Sequence, residues 1–149
     1  MRHAGSMALC INKITGSRER NPMENCLKVG ILGAGNIAGS MAEALNELQK
    51  EGKACAYAVA SRSQEKALEF ARKWNITRAY SSYEELASDP EVDLIYIATP
   101  HSLHYEQAKL CMEHGKNVLV EKAFTANARQ AEELFAMAEE KKVFITEAI

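Results

Sequence analysis

The chain has 149 residues, 47% hydrophobic and 26% charged, with a formal net charge of −2 at neutral pH. Those values suit one globular domain with an ordinary core, and the slight acidity excludes the basic surface that nucleic acid or an anionic membrane would require. No apolar run approaches the roughly 18 residues of a membrane span. Cys10, Cys26, Cys55 and Cys111 show no CxxC spacing, so they read as free thiols in a reducing cytoplasm and not as a zinc site or disulfide framework.

Residues 1–25, MRHAGSMALCINKITGSRERNPMEN, show no sustained apolar period, and the run 7–11 is too short for a signal-peptide core. The expectation is a flexible leader, with Met23 as a candidate natural start. Patterned chain begins at residue 26. Leu27, Val29, Ile31 and Leu32 mark a strand buried on both faces. Gly33-Ala34-Gly35-Asn36-Ile37-Ala38 then spells G-x-G-x-x-G/A, and Ile37, Met41, Ala44, Leu45 and Leu48 recur behind it at helical spacing.

Strand, glycine turn and helix in that order are the context in which the motif signals dinucleotide binding. Gly33 allows a tight turn, Gly35 lets the backbone approach a pyrophosphate, and a small Ala38 lets the helix pack close to the strand. Free N–H groups and the positive dipole end of the helix then face the phosphates.

A second strand is expected over 54–60. Ser63 caps a helix carrying Ala67, Phe70, Ala71 and Trp74, and Asn75 ends it. A short strand over 78–80 follows. Ser82-Tyr83-Glu84-Glu85 is a capping box for a brief helix that Asp89-Pro90 stops. The run 92–98 is a buried strand, and a helix over about 102–114 ends at Gly115 in a left-handed cap. A fifth strand over 117–120, a helix opened by Asn127 and a sixth strand over 143–146 complete the alternation. Such alternation predicts right-handed crossovers and a parallel, doubly wound α/β sheet in the order 3-2-1-4-5-6, the Rossmann arrangement, over residues 26–149.

The blocks GAGNIAGSM, ASRSQEKALEFA, SYEELASDPEVDLIYIATPHSLHYE, GKNVLVEKAFTAN and FITEAI resemble, in order, the N-terminal half of Gfo/Idh/MocA oxidoreductases, and within that family the dimeric dihydrodiol dehydrogenases and their bacterial relatives. The resemblance implies an NAD(P)-binding domain whose usual partner, a second α/β domain that shapes the substrate pocket, is absent from this chain. It further implies that Gly33, Gly35, Asn36, Ile37 and Ala38 cradle the pyrophosphate. Ser61 and Arg62 stand where the ribose 2′ position is read. With no carboxylate there, a hydroxyl and a guanidinium suit a 2′-phosphate, so NADP is preferred over NAD. Ala98, Thr99, Pro100 and His101 match the family's ATP-x segment beneath the cofactor. His104 matches a histidine near the nicotinamide, though its residue type equally suits packing on the sheet.

Glu121-Lys122-Ala123 corresponds to the family's E-K-P, in which the lysine donates or accepts the substrate proton and the glutamate belongs to the cofactor side. Ala123 departs from that pattern and removes the rigid φ of a proline. The implied reaction is hydride transfer between nicotinamide and a carbinol or carbonyl carbon of a sugar, cyclitol or diol. The alternatives are a non-catalytic NAD(P)-binding module or remnant of a truncated gene, and NAD-dependent glycoside hydrolysis on the same fold. Lacking its second domain, the chain is expected to bind cofactor weakly and to turn nothing over alone. It is also expected to expose an apolar patch beyond strand six, which would favour a homo-oligomer or a separately encoded C-terminal domain.

Overall fold

In the computed structural model, residues 2–15 and 26–148 are described. Six parallel strands form one sheet: β1 (Leu27–Leu32), β2 (Ala54–Ala60), β3 (Arg78–Tyr80), β4 (Leu94–Ile97), β5 (Asn117–Val120) and β6 (Ile145–Glu147), ordered β3-β2-β1-β4-β5-β6. β1 lies between β2 and β4, with Ile31 opposite Val59 on one side and Tyr96 on the other. The order is the expected one, and its cause is the handedness of the crossovers. Stepping from β1 to β3 puts α2 (Asn36–Lys50) and α3 (Gln64–Trp74) on one face. Crossing back to β4 and onward puts α4 (Tyr83–Ala87), α5 (His104–Glu113) and α6 (Ala128–Lys141) on the other.

Each face has its own core. Val29, Ile31, Met41, Leu45, Val59, Phe70, Tyr96 and Leu119 pack together on the α2–α3 side. Leu32, Leu86, Ile95, Ile97, Met112, Val118, Val120 and Leu134 do so on the other. Alternate residues of a strand therefore enter different cores, which is why the strands read as nearly unbroken apolar runs.

Helix ends follow the local chemistry. Ser63 Oγ accepts from the Lys66 N–H at 3.3 Å, Ser82 Oγ from the Glu85 N–H at 3.2 Å, and Asn127 Oδ1 from the Gln130 N–H at 3.0 Å. Asn75 (φ 57°) and Gly115 (φ 74°) terminate in the left-handed region. The 92–98 strand is trimmed to Leu94–Ile97, and the sixth strand begins at Ile145. A 3-10 turn, His101–Leu103, precedes α5 and makes His104 its first residue.

Residues 2–15 depart from the flexible leader expected of 1–25. They form α1 (Arg2–Thr15), with Met7 and Cys10 fully buried and Ile11 and Ile14 packed on the same core. The spacing 3, 7, 10, 11, 14 is a helical face that the contiguous run 7–11 conceals. Right-handed crossovers leave the β4–β6 half of the α2–α3 face without a helix, and α1 shares that core with Leu94, Tyr96, Leu119 and Ala148. The expected apolar patch is accordingly missing among the described residues: the exposed large apolar side chains Leu9, Ile37, Leu68 and Phe135 lie on four different helices. Residues 16–25, Met23 included, fall outside the described residues. Among the described residues no helix is long and apolar enough to cross a membrane.

Candidate functional site

Four segments leave the carboxyl ends of the neighbouring strands β2, β1, β4 and β5, where ligands bind in open α/β sheets. Gly33 follows β1. Its N–H donates to the Ala60 carbonyl at 2.9 Å, and its φ is 107°. A Cβ here would stand 2.9 Å from the Ala98 carbonyl oxygen, so this glycine is demanded by both its backbone angle and the β4 loop.

Gly35 differs. It opens α2 with ordinary extended angles (φ −93°, ψ −167°) and without a side-chain cap, and a Cβ on it would meet nothing within 4 Å. Among the described residues the first N–H groups of α2 thus have neither an intrahelical nor a side-chain partner, which suits an anion. Asn36 and Ile37 are exposed beside them, whereas Ala38 is fully buried against the sheet. From this turn a cavity of about 510 Å³ runs between α2 and α3, lined among others by Gly35, Asn36, Glu43, Lys66 and Trp74. Neither Arg62 nor Lys122 lines it.

At the end of β2, Ser61 is nearly buried, its N–H donating to the Tyr80 carbonyl at 3.3 Å and its Oγ accepting from the Ser63 N–H at 3.4 Å. Arg62 beside it is exposed. In the β4 loop the Ala98 N–H donates to the Leu32 carbonyl at 2.9 Å and the Thr99 hydroxyl donates to Gln107 Oε1, while Pro100 and His101 are exposed.

Two of the candidate residues are buried. His104, 1% exposed, is enclosed under the loops with Nδ1 2.8 Å from the Ala123 carbonyl oxygen and Nε2 2.8 Å from that of Thr99. Both ring nitrogens face backbone carbonyls, and a neutral imidazole donates to one of the two. Glu121, 3% exposed, accepts from the Tyr96 hydroxyl at 2.6 Å and lies 3.4 Å from His3 Nε2. Strand alternation explains it: Leu119 and Glu121 share a face, the first in the core that α1 joins and the second against His3 of α1.

Lys122 is exposed at the end of β5. The cis Lys122–Ala123 peptide N–H donates to His101 Nδ1 at 3.0 Å, and the Phe124 N–H donates to Glu147 Oε2 at 2.7 Å. Tyr96, Gln107, Glu147 and His3 escaped sequence reasoning. Only Tyr96 carried a signal, as the one hydroxyl in the otherwise aliphatic strand LIYI. No group of three or more His, Cys, Asp or Glu among the described residues is arranged to hold a metal ion. The Cys10, Cys55 and Cys111 thiols are pushed up by burial to about 11, 12 and 12, which leaves them protonated and unreactive at neutral pH.

The chain is similar to known proteins over its patterned part. The Gfo/Idh/MocA model, described as an oxidoreductase family with an NAD-binding Rossmann fold, matches residues 27–148. The chain is 45% identical over 123 residues to trans-1,2-dihydrobenzene-1,2-diol dehydrogenase of Mus musculus, covering 83% of this chain and 37% of that one. It is 39% identical over 132 residues to the NADP(+) D-xylose 1-dehydrogenase of Hypocrea jecorina, covering 83% and 34%. Among solved structures, KijD10, a 3-ketoreductase from Actinomadura kijaniata in complex with TDP-benzene and NADP, superposes with a TM-score of 0.75 at 33% identity, covering 83% of this chain and 38% of that one. The chain thus spans about a third of the length of the curated relatives it matches.

Proposed function

Because this chain belongs to the Gfo/Idh/MocA oxidoreductase family, we propose that it is the nucleotide-binding part of an NAD(P)-dependent oxidoreductase acting on a carbinol or carbonyl carbon of a sugar, cyclitol or diol. The observation that carries the reading is Gly35: an uncapped helix start, at the point where the sheet order reverses, with open space where a side chain would be. Backbone N–H groups of Asn36, Ile37 and Ala38 bind the pyrophosphate, and Ile37, 47% exposed, offers an apolar contact beside it. Arg62 and the Ser61 hydroxyl hold a 2′-phosphate, which makes NADP the preferred cofactor and NAD the weaker one.

A nicotinamide held over the β4 loop would supply hydride acceptance or donation at this site. Lys122 takes the hydroxyl proton of the substrate when the carbinol is oxidised and gives it back in the reverse direction. Thr99, Pro100 and His101 line the cofactor side of the β4 loop, and His104 and Glu121 act through the backbone and sheet beneath it. Related proteins support the substrate class: a dihydrobenzenediol dehydrogenase and a D-xylose dehydrogenase, with a 3-ketoreductase in complex with TDP-benzene and NADP beside them. Four free cysteines fit a reducing, cytoplasmic setting.

Catalysis requires a substrate held at the nicotinamide with water excluded, so the expected result for this chain alone is weak NADP binding by calorimetry and no NADP reduction across a panel of diols, sugars and cyclitols. Absence of NADP and NAD binding would overturn the proposal, and fast turnover by this chain would show that the active site is built elsewhere. A purely cofactor-binding role is favoured by one observation, the Ala123 that follows Lys122 in place of proline, and would show as binding without turnover even when the chain is fused to the substrate domain of a relative.

A further inference from the structure

We infer that His101 and His104 are positioning residues that set where Lys122 presents its amine, acting through Ala123, the residue that follows it. The inference rests on the reading of Lys122 as the proton-transfer group. Lys122 is exposed, and no ion pair among the described residues holds its amine. A long flexible side chain without a partner is aimed by its backbone. That backbone is gripped on both sides of Ala123. The Ala123 N–H donates to His101 Nδ1 at 3.0 Å, and the Ala123 carbonyl lies 2.8 Å from His104 Nδ1.

The two histidines form one device. Positions three apart in a 3-10 turn share a side, and the turn His101–Leu103 leads directly into His104. Their ring centroids are 5.7 Å apart. His104 is fixed in turn by its burial against the β4 loop, with Nε2 facing the Thr99 carbonyl while the Nδ1–H tautomer donates to Ala123, and the Thr99 hydroxyl donates to Gln107 of α5. The clamp therefore references the residue after Lys122 to the β4 loop and α5. Accepting from an N–H requires the lone pair of His101 Nδ1, so the imidazole carries its proton on Nε2. A proline at position 123 would have no N–H to give, which makes the contact with His101 specific to Ala123.

The test uses the full chain and acetic anhydride, with acetylation of Lys122 read by mass spectrometry relative to Lys142 in the same sample. His101→Ala should change the Lys122 rate by about fivefold, the scale of one lost hydrogen bond, and speed exchange of the Ala123 amide. His101→Asn keeps an acceptor near the Nδ1 position and should restore the wild-type rate. In an Ala123→Pro background, His101→Ala should have no further effect. His101 is exposed, so these variants are expected to fold as the wild type does. Equal Lys122 rates in wild type and His101→Ala, or an undiminished effect in the Ala123→Pro background, would overturn the inference. A separate arm adds NADP. Failure of NADP to protect Lys122 in the wild type counts against the proposed function, while the rates without NADP still decide the clamp.

Discussion

A Cβ added to Gly33 would stand 2.9 Å from the carbonyl oxygen of Ala98, the point where the β1 and β4 loops touch. Gly35, two residues on, has nothing within 4 Å of the same position. The two glycines of the motif therefore differ: the fold demands the first and leaves open space at the second.

Gly33→Ala should accordingly destabilise the chain by about 2 kcal/mol or more, from a positive φ and a backbone contact that cannot yield. Gly35→Ala should leave stability within about 0.5 kcal/mol of wild type, yet weaken NADP at least about tenfold by occupying the space of the pyrophosphate. Thermal unfolding and calorimetry separate the two. Unchanged NADP affinity in Gly35→Ala would place the phosphate elsewhere.

Arg62 is exposed at the end of β2. A charge-assisted contact to a 2′-phosphate is worth about 1.5–3 kcal/mol, or roughly tenfold and upward in affinity. Arg62→Ala should lose that factor for NADP and leave NAD unaffected. Equal losses for both cofactors would show that Arg62 does not read the 2′ position.

Docking of α1 is open to a direct test. Met7 is fully buried against the core that holds Tyr96 and Leu119. Met7→Asp puts an unpaired carboxylate there, and the cost of burying it should undock α1. Amides of α1 should lose hydrogen-exchange protection, and a dye that binds apolar surface should light up on the uncovered β4–β6 face. Unprotected α1 amides already present in the wild type would contradict the packing.

Asp89 supplies a pH prediction. Its side chain is 1% exposed, accepts from the Tyr80 hydroxyl at 2.7 Å and the Glu91 N–H at 2.9 Å, and lies 3.6 Å from the Arg78 guanidinium. Burial pushes the carboxyl up, but these partners together hold it below the usual 3.8. A depressed folded value means that its stabilisation is present above the unfolded value and fades as pH falls through the folded one. Asp89→Asn should be less stable than wild type by about 1.5–3 kcal/mol at pH 7, and the gap should narrow below about pH 4. A gap independent of pH would mean that the charge of Asp89 contributes nothing.

Strand periodicity, caps and the glycine turn were legible because each acts within a few residues. Ser63, Ser82 and Asn127 satisfy N–H groups three positions ahead, so the sequence neighbour is the structural partner. The sheet order followed from the same signals, since strand–helix alternation admits few right-handed arrangements.

Other features were settled only by the assembled sheet. The apolar face of α1 has value once β4, β5 and β6 lie side by side, and no short window around residues 2–15 contains that surface. Glu121 joins Tyr96 and His3 across 25 and 118 positions, and His104 meets Ala123 and Thr99 from opposite sides. Sequence alone determined the fold and the residues at its strand ends, because backbone geometry and burial are local or periodic. Which of those residues stay exposed and which turn inward was decided by tertiary structure, because a buried polar atom must find its partner wherever the fold delivers one.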